Sequence, residues 1–295
     1  MTANSKPIAK YCILVLFTFA FADLARADFL GVEADTGKLY SISETTGALS
    51  FIGNTGIGPN GATVWAEIQF APNGILYGFT AGEDRYLYTI NPTTAQPTLV
   101  GPLRLSSVFE GGLAFSPAGV AYGASAGNSQ LFTINLATGA ATIVGTMSGG
   151  PHDINGLAYR SDGKLVGLDG ATNSLVVIDP VTAVITPLAV LAPIVGVVGG
   201  MTVSNGVGYF NTGGPVGTPP ASNSLYSFDL FTGAATLVGS FGPTINGFGI
   251  SGLAALPPVP EPSTSLILGL GIAILIFAGV KQRKRLKRTE LGSVN

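Results

Sequence analysis

One phrase occurs five times along this chain. Its clearest copy is Ser129 to Gly145, SQLFTINLATGAATIVG, and its counterparts open on Leu39-Tyr40, Leu87-Tyr88, Leu175-Val176 and Leu225-Tyr226. With Leu131 in the third copy, the leucines stand 48, 44, 44 and 50 residues apart. A unit of that size buries its apolar face only by stacking on copies of itself. Inside the phrase, Leu131, Thr133 and Asn135 alternate with Phe132, Ile134 and Leu136, the period of a strand. A polar turn, Asn135 to Gly139, leads into a second strand, Ala141 to Val144.

The turn recurs as Ser43 to Gly47, Asn91 to Ala95, Asp179 to Ala183 and Asp229 to Gly233. Ser, Asn or Asp in first place, with Pro92 and Pro180 in second, suits a type I turn. A final Gly suits a left-handed or bulged exit, and Ala95 and Ala183 leave that exit open in two copies.

A second hairpin precedes each phrase. Leu113–Gly123 is matched by Ile68–Gly78, Leu157–Gly167 and Met201–Tyr209, each reading strand, Gly-containing turn, strand. The unit is therefore four antiparallel strands, the make-up of a propeller blade. The ends of the repeat decide between a closed ring and an open array. Phe29-Leu-Gly31 matches the second strand of the unit, since Gly31, Gly78, Gly123 and Gly167 lie 8 or 9 residues before their leucines. No first strand precedes it, and a spare one stands at 252–256. We predict an all-β, five-bladed β-propeller of four-stranded antiparallel blades over 28–256. The C-terminal strand 252–256 joins the N-terminal blade and so removes two exposed sheet edges. A β-helix or an open sandwich leaves the displaced strand unexplained.

The ends read differently. Residues 1–27 begin with Lys6 and Lys10, continue with 12 apolar or small residues from Tyr11 to Ala22, and close on Ala25-Arg26-Ala27. That order predicts a signal peptide cut by signal peptidase after Ala27, with Ala25 and Ala27 as the small residues of the cleavage site. A helix of 12 residues rises only ~18 Å, too short to cross a ~30 Å hydrocarbon core. At the other end, residues 257–264 form a Pro-rich linker, 265–280 an apolar stretch predicted as a transmembrane helix, and 281–295 a basic tail. Lys281, Arg283, Lys284, Arg285, Lys287 and Arg288 stand in that tail against Glu290 alone, which predicts a cytoplasmic tail and a body outside the cytoplasm.

Val259-Pro260-Glu261-Pro262-Ser263, the apolar segment with Gly269, Gly271 and Gly279, and the Arg/Lys tail together resemble the PEP-CTERM sorting domain over 259–288. The resemblance implies an exported protein of a Gram-negative bacterium that makes exopolysaccharide. It also implies an exosortase-type membrane protease cutting near Pro260, Glu261 and Pro262. A precursor held in the inner membrane would thus become an envelope or extracellular body. The body, over 29–256, resembles exported bacterial propellers with LY-x-[IF]-[ND]-x-x-TG-x-x-T-x-[IV]-G repeats, a likeness that implies fold and export and brings no catalytic residue.

Composition narrows the function classes. Between Asp28 and Pro258 there are 13 acidic and 5 basic residues, a net charge of −8, which argues against a nucleic-acid partner. The single cysteine, Cys12, lies in the leader, so the body holds neither a disulfide nor a thiolate metal site. Binding residues are expected on the long, varied loops, 54–66, 102–111, 146–155, 189–199 and 240–251, and on the insertion 211–223. Glu33, Asp35, Trp65, Glu83, Asp84, Arg85, Arg104, Glu110, His152, Asp153 and Asp169 fall on that face. Trp65, Glu110, His152, Asp153 and Asn155 are the ligand-binding candidates. Trp65 could stack on a sugar or serve as packing, and His152 with Asp153 could form a general-base pair or part of a metal site, or sit solvated on a loop. Asp153 with Asn155, or Glu83 with Asp84, carry oxygen donors that suit Ca²⁺, yet none forms the D-x-[DN]-x-[DN]-G spacing. No metal site, cofactor or catalytic constellation is predicted. The expectation is a non-enzymatic binding or structural protein of the polysaccharide matrix, with polysaccharide or surface proteins as partners. The alternative is a secreted hydrolase or lyase using the same face.

Overall fold

The computed structural model describes residues 29–58, 63–192, 198–213, 223–242, 245 and 249–257. The predicted signal peptide, the sorting motif, the predicted transmembrane helix and the basic tail lie outside the described residues. Among the described residues no helix is long and apolar enough to cross a membrane.

Among the described residues, twenty strands form five antiparallel sheets of four. The chain enters with β1 (Phe29–Glu33), β2 (Lys38–Ile42) and β3 (Leu49–Asn54). The second blade is β4 (Thr63–Phe70), β5 (Leu76–Gly82), β6 (Tyr86–Ile90) and β7 (Pro97–Pro102). The third is β8 (Leu113–Phe115), β9 (Ala121–Ser125), β10 (Gln130–Ile134) and β11 (Ala141–Thr146). The fourth is β12 (Ile154–Tyr159), β13 (Leu165–Asp169), β14 (Ser174–Ile178) and β15 (Ile185–Val190). The fifth is β16 (Val198–Ser204), β17 (Val207–Thr212), β18 (Ser224–Phe228) and β19 (Ala235–Ser240). The last strand, β20 (Ile250–Ala255), returns to the first blade, whose order is β20-β1-β2-β3. Its register sets Phe29 against Ala255, Gly31 against Leu253 and Val32 against Gly252. The closed ring read from the sequence is thus observed, with the closing strand starting two residues earlier than predicted. Among the described residues all five blades are complete by Ala255.

The inner strands β4, β8, β12, β16 and β20 touch in sequence around the ring. The core lies between blades. Tyr77, Phe79 and Leu87 of the second blade pack on Leu113, Phe132 and Ile134 of the third. Phe29, Tyr40 and Ile42 of the first pack on Tyr209 and Leu225 of the fifth, with the Phe29 and Tyr209 rings 4.6 Å apart. Each middle strand is covered on both faces, and β1 is buried along its whole length. Outer strands, by contrast, show solvent large apolar side chains such as Phe51, Leu99, Ile143 and Leu237.

The repeated turn is built as its residues dictate. Asn135 Oδ1 accepts from the N–H of Ala137 and Thr138 at 2.9 and 3.2 Å, and Asn91, Asp179 and Asp229 do the same in their copies. The N–H groups of Val181 and Thr182 hold the Asp179 carboxyl below its ordinary range, and those of Phe231 and Thr232 do so for Asp229. All five turns exit through a left-handed residue, including Ala95 (φ 62°) and Ala183 (φ 59°). The bulge itself lies further on, where Val144 slips between the pairs Leu131–Gly145 and Phe132–Ile143, and the other four blades repeat it.

Candidate functional site

Alternation of strand direction puts the β1–β2, β5–β6, β9–β10, β13–β14 and β17–β18 connections on one face, together with the loops between blades. Three carboxyl groups from different blades share this face. Asp35 sits in the β1–β2 turn, Glu110 just before β8 and Asp153 just before β12, all partly buried. Burial raises Glu110 above its ordinary range, and the charges of Asp153 and Asp35 push it the same way. Burial also raises Asp153; its contact with Asn155 opposes this and the charge of Asp169 adds to it. Carboxyl groups that hold protons this firmly are crowded and partly dehydrated.

Asn155 lies beside them. Its side chain is 3 % exposed, and neither Oδ1 nor Nδ2 closes a hydrogen bond of normal geometry. The Asn155 amide and the Asp153 carboxyl both crowd Gly170, where an added Cβ would stand 3.0 Å from Asn155 Nδ2 and 3.2 Å from Asp153 Oδ2. A buried amide with unspent acceptor capacity beside the Asp153 carboxyl suits a ligand that donates hydrogen bonds to it while accepting or donating at the carboxyl groups.

The other candidates fall elsewhere. Trp65 is not on a loop: β4 begins at Thr63, and the indole is 0 % exposed. Its Nε1–H donates to Thr55 Oγ1 at 3.0 Å, and its ring abuts Gly78 and Tyr88. It offers no face to a sugar and serves as packing. His152 pairs with Asp169, not with Asp153. Its Nδ1 lies 2.8 Å from Asp169 Oδ2 and its Nε2 2.9 Å from the Ser148 carbonyl. Both partners are acceptors, so both bonds form together only when both ring nitrogens carry protons. Ser129 Oγ further clamps the backbone of His152, accepting from its N–H and donating to its carbonyl. Burial alone would raise Asp169, but donors from His152, Asp153, Thr172 and Ala171 together pull it below its ordinary range.

Glu33 is wholly buried, accepts from Thr36 and pairs with Lys38 at 3.7 Å. Glu83, Asp84 and Arg104 are exposed, while Arg85 Nε donates to the Leu105 carbonyl at 3.0 Å. Among the described residues no three His, Cys, Asp or Glu side chains come together to hold a metal ion. The structure thus groups Glu110, Asp153 and Asn155 with Asp35, and separates them from Trp65. Glu67, buried on the inner strand β4, was not singled out from the sequence; the signal that finds it is its place in the repeat, where the other blades carry glycine.

Comparison with known proteins agrees with both halves of the chain. Residues 258–285 match the PEP-CTERM protein-sorting motif, which implies export toward the cell envelope and processing by an exosortase-type protease. None of the curated proteins matches the sequence. Solved propellers share the fold. A nidogen in complex with laminin is 13% identical, with 78% of this chain and 98% of that one covered at a TM-score of 0.51. A protein of unknown function from Bacteroides thetaiotaomicron is 14% identical at a TM-score of 0.47, and the match spans 70% of this chain but only 58% of that one. A calcium-binding protein, regucalcin, from Agrobacterium tumefaciens is 14% identical over 74% of this chain and 79% of its own, at a TM-score of 0.47.

Proposed function

We propose that this chain is an exported, non-enzymatic propeller of the exopolysaccharide matrix, and that it binds a hydroxyl-rich ligand at the mouth formed by Asp35, Glu110, Asp153 and Asn155. The observation that carries the reading is the unspent acceptor capacity of buried Asn155 beside the crowded Asp153 carboxyl. Carboxylate and amide side chains bind sugar hydroxyls by accepting and donating hydrogen bonds together. With a net charge of −8 over 28–258, the body repels acidic polymers, so the ligand is a neutral or amino-sugar polysaccharide. The ring of His152 is bonded at both nitrogens by Asp169 and Ser148, so it forms no general-base pair with Asp153.

The test is binding of the body to an array of neutral, amino and uronic-acid glycans. Wild type should bind neutral or amino glycans. The double variant Glu110→Gln with Asp153→Asn should bind at least tenfold more weakly without a lower melting temperature. Binding that is indifferent to both substitutions would move the ligand off this mouth. Turnover in a screen of esters, lactones and glycans would replace the reading with that of a secreted hydrolase or lyase.

A further inference from the structure

Set in register, the inner strands carry Gly112, Gly156, Gly200 and Gly252 at one repeat position, and Glu67 at the fifth. The glycines are required by the narrow centre of the ring. A Cβ on Gly112 would stand 2.5 Å from the amide nitrogen of Leu157, and on Gly156 3.0 Å from that of Met201. On Gly200 it would stand 2.6 Å from that of Leu253, and on Gly252 2.6 Å from that of Ile68. Each glycine therefore lies against a backbone nitrogen of the next inner strand.

Glu67 supplies the only side chain at this level, and it turns inward. Its Oε1 accepts from the N–H of Ile68 at 3.0 Å and of Leu253 at 2.7 Å, and the N–H of Met201 bonds to the same carboxyl. These donors come from β4, β20 and β16. A Cβ on Gly200 or on Gly252 would each come within 2.9 Å of Oε1, so the carboxyl oxygen occupies the space that both glycines leave. Glu67 is 0 % exposed, and its second oxygen, Oε2, has no hydrogen-bond partner among the described residues.

We propose that the centre of this ring is a built acceptor site, in which backbone N–H groups of three inner strands converge on one carboxyl group, and that Glu67 fills it from within as a tethered ligand. Convergent backbone donors in a dry setting favour an oxygen acceptor without any charged side chain nearby. The chemical class the site takes is a small carboxyl group. Because the donors belong to β20 and to its two neighbours, the bound carboxyl also ties the closing strand to the rest of the ring.

The experiment uses purified full-length protein and formate as the probe. Glu67→Gly restores the repeat residue and frees the site. Its melting temperature should fall by several degrees and rise again, saturably, with formate. Wild type and Glu67→Gln, whose side-chain carbonyl keeps the place filled, should not respond. An unresponsive Glu67→Gly, or a formate effect of equal size on wild type, would overturn the proposal. If Glu67→Gly does not fold, Glu67→Gln and Glu67→Leu are compared by amide hydrogen exchange. Exchange at Leu253 and Met201 should be at least tenfold faster in Glu67→Leu than in Glu67→Gln, with Val177 in β14 unchanged. Equal protection at Leu253 and Met201 in the two variants would refute it.

Discussion

At the residue scale, the small residues of the repeat are joints between blades. Gly53 faces Ala95, Gly101 faces Gly139, Gly145 faces Ala183, Ala189 faces Gly233 and Gly239 faces Gly47. No joint carries two methyl groups, which explains how Ala95 and Ala183 replace glycine in two turns. Joints differ in the room they leave. A Cβ on Gly101 would stand 2.2 Å from the Thr138 carbonyl oxygen, whereas on Gly145 its nearest neighbour would be 3.2 Å away. Gly101→Ala should therefore cost about 1–3 kcal/mol through overpacking against rigid backbone, and Gly145→Ala clearly less. Paired thermal melts check this, and equal losses would show that the joints flex alike. Glu67 carries a pH signature at the same scale. Burial raises its carboxyl well above the ordinary carboxylate range, the N–H groups of Leu253, Ile68 and Met201 oppose this, and no charged side chain contributes. The folded state then holds this proton more tightly than the unfolded chain does. Its contribution is greatest below pH 4.5 and is lost as pH rises through the folded range. Glu67→Gln should remove that component of the stability–pH curve, as melting across pH would show.

At the scale of elements, the strands were legible because alternation, turn chemistry and the fixed leucine offset all agreed. Gly31 stands at the same offset from Leu39 as Gly123 does from Leu131, and that alone placed β1 second in its blade. The site was less legible. Trp65 read as loop because a bulge at Trp65/Glu67 breaks the alternation that would have marked β4 back to Thr63. The His152 partner was missed because it comes from register: Ile154 pairs with Asp169, which brings that carboxyl beside His152 from 17 residues away. Asp153, the sequence neighbour, places its carboxyl by Gly170 and Asn155 instead. The closing strand gives the test at this scale. A chain ending at Gly249 loses β20 and with it Ile250 and Leu253, both fully buried. Each large apolar side chain is worth about 1.5–3 kcal/mol when fully buried, and two sheet edges open as well. Against a typical total of about 5–15 kcal/mol, that chain should unfold or aggregate, while one ending at Leu256 should melt as a cooperative unit. Equal melting temperatures and solubility would refute closure by β20.

For the whole molecule, the order of parts along the chain matters most. Among the described residues the last strand ends at Ala255, and the matched sorting motif begins at residue 258. Cleavage near Pro260-Glu261-Pro262 would therefore remove none of the described strands, and the two functions can be tested apart. In a host with an exosortase, the exported body should lack residues 266–295. Replacing Pro260, Glu261 and Pro262 with alanine should leave the full-length form in the inner membrane, because the protease loses its recognition element while the apolar stretch and the six basic residues after it remain. The trapped form should keep wild-type glycan binding and the same propeller melting transition. Immunoblotting of membrane and exported fractions reads the processing; melting and array binding read the body. Unchanged processing in the alanine variant would reduce the motif to a spacer. A lowered melting transition would instead mean that residues beyond Ala255 support the ring, against the complete set of blades the structure shows.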